Sequence, residues 1–192
     1  MPIGPRANEQ LKMDVTMLVN VVHPLPLDWE PDDLVDLWKM QPRHFHLLPR
    51  QTKLVGCAAD AANALFEYAE DEGLDDFLLL SAYRTSSYQT ELFLENPFGS
   101  VAQPGCSEHQ TGLAMDIALL GRRLSLDEAH GQWLAENCWK FGFILRYMPD
   151  KEDITTYVYE PWHFRYVGRY HAKRIYDMHM CLEEYIEYLA NN

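Results

Sequence analysis

The stretch Ser107-Glu108-His109-Gln110-Thr111-Gly112-Leu113-Ala114-Met115-Asp116-Ile117-Ala118 decides how this chain is read. From Gly112 onward it alternates. Leu113, Met115 and Ile117 fall on one side, and Ala114, Asp116 and Ala118 on the other, the two-residue period of a β-strand. The large residues are expected in the core, and the small ones leave room around the Asp116 carboxylate. His109 lies seven residues before Asp116, in a loop rich in Pro, Gly, Ser and Cys. A second stretch, Glu160-Pro161-Trp162-His163, supplies another histidine and a spare carboxylate. Two imidazoles and one carboxylate are the donor set of a catalytic zinc centre, which keeps its fourth position open. His109, Asp116 and His163 are therefore the candidate ligands and Zn2+ the expected cofactor. Glu160 is the candidate general base, placed to take a proton from an attacking water. The order is the reverse of the HExxH helix signature and Pro161 resists a helix interior, so a bent strand or turn is expected here.

Tyr83-Arg84-Thr85 lies upstream, after an apolar run. Arg84 would emerge at the sheet edge, where a guanidinium can polarise a scissile carbonyl or clamp a substrate carboxylate. Ser107, Gln89, Tyr83 and Trp162 are the candidate substrate-facing residues, with Trp162 read as a pocket wall. Each has a plainer alternative. A single histidine is more often a satisfied polar residue than a ligand. Glu160 could pair with Arg165 or Arg169, Arg84 with a surface acid, and Gln89 could be solvated. Two histidines and a carboxylate also serve non-haem iron oxygenases, which commonly use a tight H-x-[DE] pair that is absent here. His44 and His46 form an HxH pair without an evident third partner.

The surrounding pattern mixes helices with short strands. Met17–Val22 reads as a strand ended by Pro24 and Pro26, and Trp29–Met40 as a connecting loop or short helix. Gln51–Glu72 has helical apolar spacing with a stop at Gly73. Asp76–Ala82 reads as a strand, Ser86–Leu94 as a helix capped by Thr85 or Ser86, and 97–105 as loop. Leu126–Phe141 is expected to be a helix stopped by Gly142. Ile154–Tyr159 and His163–Val167 are expected strands broken at Pro161, and Arg169–Ala190 one or two closing helices. The expected class is α+β, a small antiparallel sheet with flanking helices, in one domain spanning 1–192.

Composition narrows the function. Asp and Glu number 29 against 16 Lys and Arg, a net charge of −13 that disfavours nucleic acid. No run of about 18 apolar residues exists, so no membrane anchor is expected. Asp14, Pro24 and Pro26 spoil Leu18–Val22 as a secretory segment, and the expected location is cytoplasmic. Cys57, Cys106, Cys138 and Cys181 contain no CxxC pair and read as free, small, buried or half-buried residues.

These residues resemble the LAS zinc peptidases, the group of D-alanyl-D-alanine carboxypeptidases and dipeptidases. The pattern SxHxxGxAxD followed by ExxH is met by Ser107, His109, Gly112, Ala114, Asp116, Glu160 and His163, and the YR[ST] element by Tyr83-Arg84-Thr85. Leu18-Val19-Asn20 through Pro26, Gly142–Tyr147 and Glu160–Gly168 resemble the VanY branch, and Pro104–Gln110 looks like its VanXY-type members. The resemblance implies a hedgehog/D,D-peptidase-like fold, zinc on His109, Asp116 and His163, Glu160 as base and Arg84 as transition-state stabiliser. It implies D-Ala-D-Ala dipeptide or pentapeptide cell-wall precursor as substrate, in the setting of vancomycin resistance. It places a lid or selectivity loop at Leu120–Glu128. The alternatives are a VanY-like carboxypeptidase without dipeptidase activity and a hedgehog-like zinc module without catalysis.

Overall fold

Strand β5 (Ala114–Leu119) is the axis of the molecule, and all six of its residues are buried. The computed structural model describes residues 14–48, 53–96, 101–125 and 128–192. On one side β5 pairs antiparallel with β4 (Phe77–Ser81), on the other with β8 (His163–Tyr166). Beyond β8 lies β7 (Phe143–Leu145), and beyond β4 the two-residue β2 (His46–Leu47), giving the order β2-β4-β5-β8-β7. The ladders are antiparallel except β2 with β4, which is parallel and so departs from the expected all-antiparallel sheet. A short β6 (Arg122–Arg123) folds back on the end of β5, and β1 (Leu34–Asp36) pairs with β3 (Lys53–Val55) apart from the main sheet.

One face of the sheet packs on α1 (Gly56–Asp71), whose buried side is Ala58, Ala59, Ala62, Leu65, Phe66 and Ala69. The alanines let the helix approach closely, and Phe66 stacks between Phe45 and Phe77, at centroid distances of 5.3 and 5.1 Å. Burying a side chain such as Leu65 or Phe66 contributes roughly 1.5–3 kcal/mol. Leu113, Met115 and Ile117 enter this core, as the alternation predicted. A second core joins β7 to α5 (Arg169–Met178) and α6 (Leu182–Asn191) through Ile144, Ile175, Leu182 and Tyr185.

Several expected elements take another form. Met17–Val22 is not a strand. The Asn20 side chain accepts from the amides of Val22 and His23, closing a turn that leaves Val21 and Val22 exposed. Trp29–Met40 contains β1 followed by a 3-10 turn. Lys53–Val55 is a strand rather than the start of α1, because β1 offers it a partner; residues 51–52 of that expected helix lie outside the described ones. Ile154–Tyr159 is not a strand either. Helix α4 (Glu152–Thr155) closes on a left-handed Thr156, whose amide donates to the Glu152 carbonyl. Helix α3 (Ala129–Asn137) runs into a 3-10 turn, Cys138–Phe141, that ends at Gly142 as expected; residues 126–127 of the expected helix are not described. Helix α2 (Ser86–Glu95) is capped by Thr85. The closing segment is two helices, divided at the left-handed His179. Of the expected 97–105 loop, residues 97–100 lie outside the described ones. Cys57 is exposed, against expectation, because it sits on the outer side of the first turn of α1, while Cys106, Cys138 and Cys181 are buried. Among the described residues no helix is long and apolar enough to cross a membrane.

Candidate metal centre

Strand register assembles the centre. Asp116 stands opposite His163 in the β5–β8 ladder and opposite Ser81 in the β4–β5 ladder. Directly opposed residues on one face have Cβ atoms about 5 Å apart, so the pairing alone brings a carboxylate and an imidazole together. His109 arrives from a 3-10 turn, Glu108–Thr111, whose N-cap is Ser107 and which ends at Gly112 with φ 68°. A side chain at Gly112 would press on Leu34 at 2.9 Å and Val55 at 3.0 Å, so the left-handed turn and the close approach both require glycine here. One ligand atom from each of His109, Asp116 and His163 lies within 4.8 Å of the others, and all three residues are buried.

The hydrogen bonds fix both tautomers. His109 Nδ1 lies 2.7 Å from the Ala82 carbonyl, which can only accept, so Nδ1 carries the proton and the Nε2 lone pair faces Asp116 Oδ2 at 3.2 Å. His163 Nε2 lies 3.4 Å from Glu108 Oε2. Burial opposes ionisation of Glu108, but Arg146 and Arg165 outweigh it and hold the carboxyl well below the usual range. Glu108 therefore accepts, Nε2–H donates, and the His163 Nδ1 lone pair faces Asp116 Oδ1 at 2.9 Å. Two imidazole lone pairs thus converge on a carboxylate, an arrangement that a cation resolves. Without one, a proton must serve. Burial disfavours a charged His163, yet its bonds to Asp116 and Glu108 raise its pKa to about 9. Burial and then Arg84 lower that of His109. The donor set fits a divalent ion of the zinc type.

Arg84 is held on three sides. Its Nε donates to Ser81 Oγ at 3.0 Å, Nη1 to Gln89 Oε1 at 3.3 Å and Nη2 to Asp116 Oδ2 at 3.1 Å. Gln89 is buried rather than solvated, and its Nε2 donates to the Ala102 carbonyl at 2.7 Å, so it braces Arg84 from behind. Glu160, Pro161 and Trp162 form the expected tight turn, closed by the His163 amide on the Glu160 carbonyl. The Glu160 carboxylate faces the site, 3.9 Å from His163 Nδ1. Burial, aided by Asp116 and Glu108, raises its pKa above the usual value. Neither Arg165 nor Arg169 pairs with it; Arg165 belongs to Glu108.

The cavity over these groups has a volume of about 170 Å3. Arg84, Ser107, His109, Asp116, Glu160, Trp162 and His163 all line it. Tyr83 does not: its phenol lies against Glu30, because successive residues leaving β4 point to opposite sides. His44 is engaged elsewhere, 2.7 Å from Glu70. Sequence reasoning missed five lining residues: Val101 and Ala102 from the expected 97–105 loop, and Glu108, Tyr147 and Tyr157. Glu108 carries no local signal, since its role depends on Arg146 and Arg165, far along the chain. Tyr147 and Tyr157 stack at 4.5 Å and form a wall beside His163, but nothing in their spacing announces a pair.

The profile of the VanY D-alanyl-D-alanine carboxypeptidases matches residues 51–169. The chain belongs to the VanY family. It is 40% identical over 195 residues to the putative carboxypeptidase YodJ of Bacillus subtilis, covering 91% of this chain and 67% of that protein. It is 36% identical to VanXYC of Enterococcus gallinarum, named a bifunctional D-Ala-D-Ala dipeptidase and carboxypeptidase, covering 93% of this chain and 96% of that one. An Enterococcus faecium D-alanyl-D-alanine carboxypeptidase is matched over 60% of its length, so the chain spans less than two thirds of some curated relatives. Among solved structures, a VanY D,D-pentapeptidase mutant in complex with Zn(II) superposes with a TM-score of 0.74 at 34% identity, over 91% of this chain and 99% of that one. The LdcB LD-carboxypeptidase superposes at 0.79 with 40% identity, over 88% and 84%. The family is one of peptidases, and the mixed α and β fold is the one these structures share.

Proposed function

We propose that this protein is a zinc-dependent D,D-carboxypeptidase, removing the terminal D-alanine from peptides that end in D-Ala-D-Ala. The observation that carries this reading is the convergence of two tautomer-fixed imidazoles and Asp116 beneath a buried carboxylate, Glu160, that binds no arginine. His109 through Nε2, His163 through Nδ1 and Asp116 would hold the zinc, which when bound supplies Lewis acidity and lowers the pKa of an attacking water.

The chain's own groups account for the rest. Glu160, its proton affinity raised by burial, takes the proton of the attacking water. The water oxygen bonds to the scissile carbonyl carbon, the C–N bond breaks, and Glu160 delivers that proton to the departing amine. Arg84, braced by Ser81 and Gln89, faces the carbonyl oxygen as it gains charge, and it needs no reorganisation to do so. Ser107 and Trp162 bound the space for the terminal residue. A volume of about 170 Å3 suits a small residue such as alanine.

A second activity, on free D-Ala-D-Ala dipeptide, is favoured by the near full-length similarity to the bifunctional E. gallinarum protein. Free D-alanine is measured after incubation with a pentapeptide ending in D-Ala-D-Ala, with the dipeptide, and with a tetrapeptide ending in one D-Ala, each with and without a chelator. Chelator-sensitive release from the pentapeptide supports the proposal, and release from the dipeptide as well adds the second activity. Release from the tetrapeptide alone replaces the reading with an L,D-carboxypeptidase, the activity named for LdcB. Release from none removes it in favour of a non-catalytic zinc module.

A further inference from the structure

A second cavity, of about 350 Å3, opens beside the metal centre and shares Asp116 and Trp162 with it. Its floor is apolar, made by Ile117, Ala118, Leu124 and the partly exposed Leu80. Its single cationic side chain is Arg123, on β6 opposite Ala118. Among the described residues Arg123 is exposed and has no ion-pair partner. Its neighbour Arg122, which points to the other side of the strand, is paired with Glu128. An arginine with no ion-pair partner among the described residues, at the edge of an apolar trough, stands out on a chain with net charge −13.

The placement of Glu160 orients a substrate across the two cavities. Glu160 lines the small cavity and not the larger one. The departing amine must reach Glu160, so the terminal residue occupies the small cavity. The acyl half then leaves past Asp116 and Trp162 into the larger one. The geometry points to the second cavity as the subsite for the residues preceding the scissile bond, with Arg123 selecting a side-chain carboxylate there. The apolar floor takes the aliphatic stem of that residue and the guanidinium takes its acidic end. This inference rests on the carboxypeptidase reading and adds a substrate class to it: peptides whose residue before D-Ala-D-Ala carries a carboxylate.

The test compares two acylated tripeptides, Xaa-D-Ala-D-Ala, with meso-diaminopimelate or L-lysine as Xaa, in the parent protein, Arg123→Ala, Arg123→Glu and Arg122→Ala. The readout is the ratio of kcat/KM for the two peptides, which cancels any general loss of activity or folded fraction. The parent is expected to prefer the diaminopimelate peptide. Arg123→Ala lowers the ratio about 5-fold, the upper scale of an exposed ion pair. Arg123→Glu lowers it by about a further 5-fold, and Arg122→Ala leaves it in place. The parent ratio also falls as salt is raised from about 0.01 to 1 M, since an exposed pair is screened. A ratio that does not move in Arg123→Glu, or that moves equally in Arg122→Ala, overturns the assignment. Cleavage of neither peptide by the parent removes the carboxypeptidase reading itself, and the subsite with it.

Discussion

Replacing Glu108 by glutamine changes one atom in a fully buried cluster and probes the support of the metal centre. Glu108 Oε1 accepts from Arg146 Nε at 2.8 Å and faces Arg165 Nη1 at 3.1 Å, while Oε2 accepts from His163. Arg146 keeps a second partner, the bidentate Glu183 at 2.7 and 2.8 Å. Among the described residues Arg165 otherwise donates to the carbonyls of Val15, Met17 and Tyr166 and feels the Asp14 carboxylate without forming an ion pair with it. The loss therefore falls on Arg165 and on the imidazole. Breaking a buried ion pair by removing one partner costs about 3–5 kcal/mol. Glutamine preserves shape and one acceptor, so about 3 kcal/mol is expected. In a chain of this size 1 kcal/mol moves the melting temperature by about 2–4 °C, so the metal-free variant should melt about 6–12 °C lower. The loss of a charged acceptor on His163 Nε2 should also weaken zinc binding by about 10- to 100-fold, the usual scale for an outer partner of a ligating histidine. Thermal unfolding of the metal-free protein and chelator competition measure the two effects separately. A melting temperature within about 2 °C of the parent would refute the ion-pair argument. A lowered melting temperature with unchanged zinc affinity would refute the role assigned through His163.

Three further outcomes are expected. Arg84→Ala should keep stoichiometric zinc and the parental circular dichroism while lowering kcat by about 100-fold or more; a parental kcat would reduce Arg84 to an Asp116 partner. Gly112→Ala should lose at least about 1–2 kcal/mol to the left-handed backbone alone, with the Leu34 and Val55 contacts adding to it, and a denaturation midpoint equal to the parent's would contradict the turn. Iodoacetamide at pH 8 should label Cys57 alone in the folded protein. Burial closes off Cys106, raises the Cys138 thiol to about 12 and raises that of Cys181 to about 11. Mass spectrometry showing a second modified cysteine would exclude that packing.

The candidate ligands were legible in sequence because local pattern and chemistry coincided. The alternation from Leu113 to Ala118 fixed which face Asp116 would take, and Gly112 marked the turn that brings His109 back. His163 and Glu160 were readable because Pro161 forces a turn between them. What escaped depends on pairing across long separations. Strands of two or three residues, such as His46–Leu47, Lys53–Val55 and Phe143–Leu145, are too short to show a period and exist because a neighbour offers hydrogen bonds. Met17–Val22 has strand composition but no such neighbour among the described residues. The partners of Glu108 lie 38 and 57 residues away by number, at Arg146 and Arg165, and no local rule links them. Tyr83 reads as substrate-facing through the YR[ST] element it shares with Arg84, yet adjacent residues at a strand end face apart. Gln89 reads as substrate-facing, with a solvated helix position as the alternative; its buried place behind Arg84 is set by the Ala102 carbonyl and Arg84, which come from other segments.

The cluster of Glu108, Arg146, Arg165 and Glu183 also constrains how this chain can change over generations. Loss of one member strands a charge in the interior, whereas exchange of the whole set for apolar residues of similar volume can be nearly neutral for folding. Such an exchange would still remove the acceptor that orients His163. The stretch joining the centre to the last helix is therefore open to drift only where catalysis has already been given up. In a family that shares this fold, a member lacking Glu108 together with both arginines would mark a lineage that kept the scaffold and abandoned the reaction.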